Sequence, residues 1–312
     1  MRTWVKSVTL LCLFGLFFAP TARAQDKELI RPKSDAPTPP TPKPKIDHDA
    51  IEKLGFRLGV QAYTFRVLSA FETIDLIGDM GIRYIEFYPG QRLSPELPAT
   101  VKLDHNMSAE HIESLKNKLK QRSVTAVNYG VVGLPRDEAE SRKVFQWAKT
   151  MGLETIVSEP NEDAFDTIEK LCEEFQINVA LHDHPYPSKY WYPQKVLEVA
   201  AKRSPRIGAC ADTGHWYRSG FLVTECVKKL KGRIISGHLK DLDENKRDIP
   251  WGQGKINARE VMAELNRQGT KVVFSIEYES SAGSELVANV AKTCENFSRL
   301  AVELAAEKSA RN

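Results

Sequence analysis

An aspartate and a histidine stand three residues apart, Asp212 and His215, directly after the apolar run Ile207 to Ala211 in the stretch "ADTGHWYRSG". A carboxylate and an imidazole so close to a strand end can bind a cation or move a proton. Other strand-like runs end in groups of the same kind. Glu159 closes "ETIVSE", His182 and His184 close "INVALHDH", His238 and Lys240 close "RIISGHLKD", and Glu277 and Glu279 close "VVFSIEYE". Residues two apart on a strand share a face. His182 with His184, His238 with Lys240, and Glu277 with Glu279 can therefore point into one mouth. Singly, each would serve as a helix cap, a salt-bridge partner or a hydrogen-bonded histidine. Together, acids and imidazoles converging from separate strands would repel one another or stay buried and unpaired. A divalent cation resolves that conflict, and a mixed carboxylate and imidazole set suits Mn, Co, Zn, Fe or Mg better than calcium.

The elements that must bring these groups together are regular. Three earlier runs, "RLGVQAY", "IRYIEFY" and "VTAVNYG", precede the five above and make eight strands. Helix-period stretches lie between them. Phe165, Ile168, Leu171, Cys172 and Phe175 form one apolar stripe, and Leu286, Val290, Phe297, Ala301 and Leu304 form another. That period predicts amphipathic helices packed outside a sheet. Eight strand–helix units in about 250 residues predict an α/β fold, the (β/α)8 TIM barrel, whose site lies at the C-terminal strand ends. An open doubly wound sheet would call for a switch point and a glycine-rich phosphate turn, and neither is present in the sequence.

The chain's 312 residues, 42% of them apolar, fit a globular protein with a formal charge of +3. Residues 1–24 read as a secretory signal peptide, with a basic start (Arg2, Lys6), an apolar run from Val8 to Ala19 and the small-residue motif Ala22-Arg23-Ala24. Cleavage there would remove three basic residues and no acid, leaving a mature chain of zero formal charge. The expectation is an exported protein, periplasmic or secreted, with no membrane span after cleavage and no general attraction for nucleic acid. Its oligomeric state is open. Residues 25–48 read as an extended linker, with six prolines among the thirteen residues from Pro32 to Pro44. Residues 49–312 hold the barrel. Cys172, Cys210, Cys226 and Cys294 are widely spaced and read as buried free thiols.

The motifs "DTGHW", "GHLKD" and "IEYE" on the last three strands resemble those of the xylose isomerase-like TIM-barrel superfamily, over roughly Phe56 to Leu304. That group includes sugar isomerases and epimerases, inosose dehydratase and the apurinic endonucleases. The resemblance implies that Asp212, His238 and Glu277 bind a metal and that His215 contacts substrate or metal. Where the epimerase branch has a glutamate on the fifth strand, this chain has His182 in "ALHDHP", similar to the H-x-H of inosose dehydratases. Glu159 on the adjacent strand is the expected fourth metal ligand, and His182 is expected to contact a ligand or the substrate. The nuclease branch would need histidines after the second and third strands, where "IEFYPG" and "VNYGVV" have none.

The resemblance and the residues together imply chemistry on a small carbohydrate. The metal would polarise the carbonyl of an unphosphorylated keto sugar or related polyol. Glu277 or Glu159 would take the α-proton, and His182, His215 or Lys240 would handle protons on oxygen. Isomerase, epimerase and lyase or dehydratase outcomes share that first step. A non-catalytic carbohydrate-binding barrel is the alternative of another class. His184, Trp216, Arg218 and Trp251 are expected to touch substrate. Tyr186, Tyr190, Trp191 and Tyr192 offer further rings for sugar faces. The segment Asp243 to Ile256, with Gly252 and Gly254, reads either as a loop that covers the substrate or as a passive connection.

Overall fold

Eight parallel strands close on themselves in the computed structural model, which describes residues 41–311. Residues 1–24, read as a signal peptide, and most of the proline-rich segment 25–48 lie outside the described residues. The barrel strands are β1 (Phe56–Gln61), β2 (Tyr84–Phe87), β3 (Thr125–Tyr129), β4 (Thr155–Ser158), β5 (Asn178–His182), β6 (Ile207–Asp212), β7 (Ile234–Leu239) and β8 (Val272–Ile276). Each pairs with its neighbours in chain order, and β8 closes onto β1. All eight match the apolar runs of the sequence. Two short antiparallel pairs, Gln91–Arg92 with Lys102–Leu103 and Asp241–Leu242 with Asp248–Ile249, sit in the loops.

The helices form where caps and apolar stripes direct them. Ser69 and Glu72 form a reciprocal capping box at the start of Ala70–Asp79. Asp137 caps Glu138–Met151, which ends at Gly152 in the left-handed region at φ 75°. The helix Phe165–Phe175 buries Phe165, Ile168, Leu171 and Cys172 as its period requires. The long helix Gly283–Arg311 buries Leu286, Val290, Phe297, Ala301 and Leu304 against the main core. All four cysteines of the described residues are free and buried. No helix among the described residues is long and apolar enough to cross a membrane.

Two irregularities in strand pairing set which side chains meet inside the barrel. The register slips between Ile85 and Glu86 on β2, and between Ala209 and Cys210 on β6. Each slip skips one residue of the partner strand and re-aims the residues after it. Beyond the slips, Glu86 lies beside Asn128, and Asp212 lies beside His238.

Close strand approach depends on glycine at one point near the second slip. A Cβ on Gly208 would lie 2.2 Å from the carbonyl oxygen of Arg233 on β7. The obstacle is backbone, so the strands themselves would have to part. Gly208→Ala is expected to cost about 1–3 kcal/mol of stability, in the range for overpacking. Urea denaturation reads this directly, and an unchanged midpoint would show that β6 and β7 do not approach so closely.

Candidate metal centre and active site

Asp212 is the residue around which the mouth is organised. It ends β6 and caps the short helix Thr213–Arg218, its Oδ1 accepting the His215 N–H at 2.8 Å. Its own N–H donates to Asp183 Oδ1 at 2.8 Å. Asp212 Oδ2 is left buried without a hydrogen bond, and so is Glu277 Oε2. Gly214 leaves the space this turn needs, since a Cβ there would lie 2.6 Å from the Lys240 side chain.

Two imidazoles complete the set. His238 at the end of β7 bonds Glu86 Oε1 through Nε2 at 2.9 Å. Its Nδ1 lies 3.0 Å from Glu277 Oε2, 3.8 Å from Asp212 Oδ2 and 3.1 Å from His182 Nε2. His182 in turn bonds Glu159 Oε1 through Nδ1 at 3.2 Å. One donor atom from each of His182, Asp212, His238 and Glu277 lies within 4.8 Å of the others. A carboxylate behind each imidazole accepts an N–H and turns the other ring nitrogen inward, where loss of its proton would free a lone pair for a metal. Two ring nitrogens and two carboxylate oxygens thus converge on one buried point. A divalent cation fits that donor set of nitrogen and oxygen.

The position of Glu159 differs from the expectation. It belongs to a separate group with His182 and His184, reached by His182 at 3.2 Å and by a short contact from His184 Nδ1. His182 is the residue that joins Asp212, His238 and Glu277. The reason is reach: His182 is buried on the barrel axis, while Glu159 sits one strand over and spends its carboxylate on the two imidazoles.

Lys240 and His215 flank the centre. The Lys240 ammonium lies 3.1 Å from Asp212 Oδ2, 2.9 Å from Glu277 Oε2 and 2.8 Å from Glu279 Oε1. Burial opposes its charge, but those three carboxylates hold its pKa well above the ordinary lysine value. Arg218 pairs with Asp248 at 2.6 Å and points Nη1 at His215 Nδ1, 3.2 Å away. The Lys240 ammonium lies 3.3 Å from His215 Nε2, so a cationic donor faces each ring nitrogen and the neutral ring can accept from only one of them. Burial, aided by Lys240, pushes the His215 pKa down to about 3 and keeps the ring neutral.

The aromatic expectations divide. Trp216 and Trp251 are both 1% exposed and pack in the hydrophobic core, so neither forms a wall of the mouth. Tyr190 is buried too, its hydroxyl donating to Pro160 O at 2.7 Å. Tyr186 is 66% exposed, and Trp191 stacks on Phe221 at 5.4 Å beside it. His184 is exposed at the rim. The segment 243–256 is pinned rather than free to cover a ligand. Asp241 accepts the N–H groups of Leu242, Gly252, Gly254 and Ile256 at 2.9–3.0 Å. Asp248 accepts from Glu279 N at 2.9 Å and Ser280 Oγ at 3.0 Å.

Sequence reasoning missed Glu86. It is fully buried on β2, and its signal was a lone acid in the apolar strand "YIEF".

The family model of the xylose isomerase-like TIM barrel matches residues 74–300. The chain belongs to the xylose isomerase-like TIM barrel family. Among solved structures, an uncharacterized protein from Parabacteroides distasonis is 30% identical, with a TM-score of 0.64 over 78% of this chain and 98% of that one. An L-ribulose 3-epimerase matches with 17% identity and a TM-score of 0.60, over 82% of this chain and 97% of its own. The IOLI protein, with its zinc atom, matches with 17% identity and a TM-score of 0.58, over 80% and 98%. At such identities the last two speak for the fold alone. No curated protein sequence matches the chain.

Within this family fold, the buried acids outnumber the buried ammonium. Asp212 and Glu277 meet Lys240, while Glu86 is buried behind His238. Burial lowers the pKa of His238, but Cys210, Glu86 and Glu277 outweigh it and raise it well above the ordinary value. Burial also lowers that of His182, and Asp212 and Glu159 outweigh it. Protons therefore compete with a metal for these imidazoles. A raised histidine pKa means the proton is held through the ordinary histidine range and lost above it. Affinity for Zn²⁺ or Mn²⁺ is expected to keep rising as the pH goes from about 6 to about 8, with protons released on binding. Calorimetry in buffers of different ionisation enthalpy measures that release, and pH-independent affinity would contradict the assignment.

Proposed function

We propose that this protein is a divalent-metal-dependent enzyme that removes the α-proton of an unphosphorylated keto sugar or related polyol. The metal would be held by His182, Asp212, His238 and Glu277. The observation that carries this reading is the convergence of two imidazole nitrogens and two carboxylate oxygens beside a buried ammonium and a neutral imidazole. A bound divalent metal supplies a Lewis acid that polarises a carbonyl and offsets the charge of an enediolate.

The chain's own residues supply the rest. Burial alone would raise the Glu277 pKa, but Lys240 and His238 hold it below the ordinary carboxylate range, so the carboxylate is ionised and would take the α-proton on the oxygen not turned to the metal. The Lys240 ammonium and the neutral His215 ring, 3.3 Å apart, would exchange protons with a substrate oxygen. Glu159 and His184 lie together at the rim, where Glu159 is held at about 2 because the hydrogen bonds from His182 and His184 outweigh burial. The exposed Tyr186 and the Trp191–Phe221 stack offer apolar faces to a carbohydrate beyond the mouth. Export, expected from residues 1–24, favours an unphosphorylated substrate, and no glycine-rich phosphate turn adjoins the site.

His182 favours a second reading within this one. It stands where the epimerase branch has a glutamate, leaving Glu277 as the carboxylate free to act as a base at the centre. One base suits isomerisation, or loss of a β-oxygen as in a lyase or dehydratase, better than transfer between two faces. The remaining alternative is a barrel that binds carbohydrate without turnover.

The test uses residues 25–312 loaded in turn with Mn, Co, Zn and Mg in deuterated water. Free ketoses, inososes and 3-keto-glycosides are followed by NMR. Deuterium next to the carbonyl is expected, and the product names the reaction. Glu277→Gln is expected to lose about 10²–10⁴-fold in exchange rate with an unchanged melting temperature. Metal and sugar binding without exchange on any substrate would favour the binding barrel, and full exchange by the variant would remove Glu277 as the base.

A further inference from the structure

Beneath the metal centre lies a carboxylate to which neither the family match nor the strand-end motifs give a role. Glu86 is 0% exposed in the barrel interior. Its Oε1 accepts from Gln61 Nε2 at 3.0 Å and His238 Nε2 at 2.9 Å. Its Oε2 accepts from Asn128 Nδ2 at 3.1 Å and Ser275 Oγ at 2.7 Å. Donors from β1, β3, β7 and β8 thus fill all four acceptor positions of a side chain on β2.

A buried acid serves poorly as mere filling, because a neutral side chain of similar volume avoids the cost of desolvating a charge. The cage around Glu86 is also one-way. Gln61 Oε1 is taken by the Tyr63 N–H at 3.1 Å, so its amide nitrogen must face Glu86. The bond from His238 then fixes one ring nitrogen as a donor toward the barrel floor. Nδ1, 3.0 Å from Glu277 Oε2 and 3.1 Å from His182 Nε2, is the nitrogen left to offer a lone pair to the centre.

We propose that Glu86 is a positioning residue: it holds His238 in the Nε2–H form, aims Nδ1 at the metal centre and adds a buried negative charge that strengthens cation binding. The inference rests on the metal reading of the site.

Two substitutions separate the charge from the hydrogen bond. Glu86→Gln keeps an oxygen for His238 and Gln61. Its new amide N–H groups can be met by the Ser275 hydroxyl and by Asn128 Oδ1, which has no partner and reaches the site by an amide flip. This variant is therefore built to fold, as thermal melting would check. Glu86→Leu removes both charge and acceptor.

The measurements are Zn²⁺ and Mn²⁺ affinity by calorimetry, and the His238 tautomer by long-range ¹⁵N–¹H NMR on histidine-labelled protein. Glu86→Gln is expected to weaken metal binding by about 10–100-fold while keeping the Nε2–H tautomer. Glu86→Leu is expected to weaken it further and give a mixture of tautomers. Unchanged affinity in Glu86→Gln, or a His238 Nδ1–H tautomer in the Zn²⁺-loaded unaltered protein, would overturn the proposal. Failure of the unaltered protein to bind either metal would instead overturn the metal reading on which it rests. Should Glu86→Leu not fold, Glu86→Gln and the tautomer of the unaltered protein decide the matter.

Discussion

Buried negative charge at the mouth of the barrel is the constraint on which the site depends. Asp212 and Glu277 present unbonded oxygens inside the protein, and Glu86 lies fully buried beneath them. Charges in such a place are tolerated only when paired or when they hold a cation. Lys240 meets Asp212 and Glu277, and the remaining excess draws protons onto His182 and His238. The same excess makes the site a cation trap.

The closed parallel barrel makes this arrangement possible. Helices carry the hydrophobic core on the outside, so the interior can hold Gln61, Glu86, Asn128, Ser275 and His238 as a polar network. Strand register then does the aiming. The slips before Glu86 and Cys210 bring Glu86 beside Asn128 and Asp212 beside His238, and regular pairing places Ser275 beside His238 on the other side. A one-residue change in either slip would turn a ligand to the wrong face. The loops after β7 and β8 are similarly fixed, with Asp241 and Asp248 binding their backbone amides.

The sequence disclosed the strands and the polar residues at their ends, because both are local signals. Alternation, apolar runs and the motifs around Asp212, His238 and Glu277 need no knowledge of packing. The part it could not disclose depends on reach across strands. Glu159 and His182 end neighbouring strands and carry equally suitable ligands, and only side-chain length and barrel tilt decide which one joins the centre. Trp216 and Trp251 stand beside glycines in functional-looking stretches, yet both turn into the core. Glu86 gives no strand-end signal, because it lies inside the apolar strand "YIEF". A lone acid there has to be balanced, and its partner His238 stands 152 residues away in the chain.

The three histidines at the centre show how partners, rather than residue type, assign chemistry. His238 and His182 are each backed by a carboxylate, Glu86 and Glu159, which accepts one N–H and leaves the other ring nitrogen facing the centre. The surrounding acids favour a proton on these rings, which a cation would have to displace. His215 is instead met by a cationic donor at each ring nitrogen, Arg218 Nη1 3.2 Å from Nδ1 and the Lys240 ammonium 3.3 Å from Nε2, and it stays neutral. Two rings thus stand against carboxylates and one against cations at the same mouth. Exchanging either carboxylate or the arginine for a group of opposite charge would reverse the form its histidine favours.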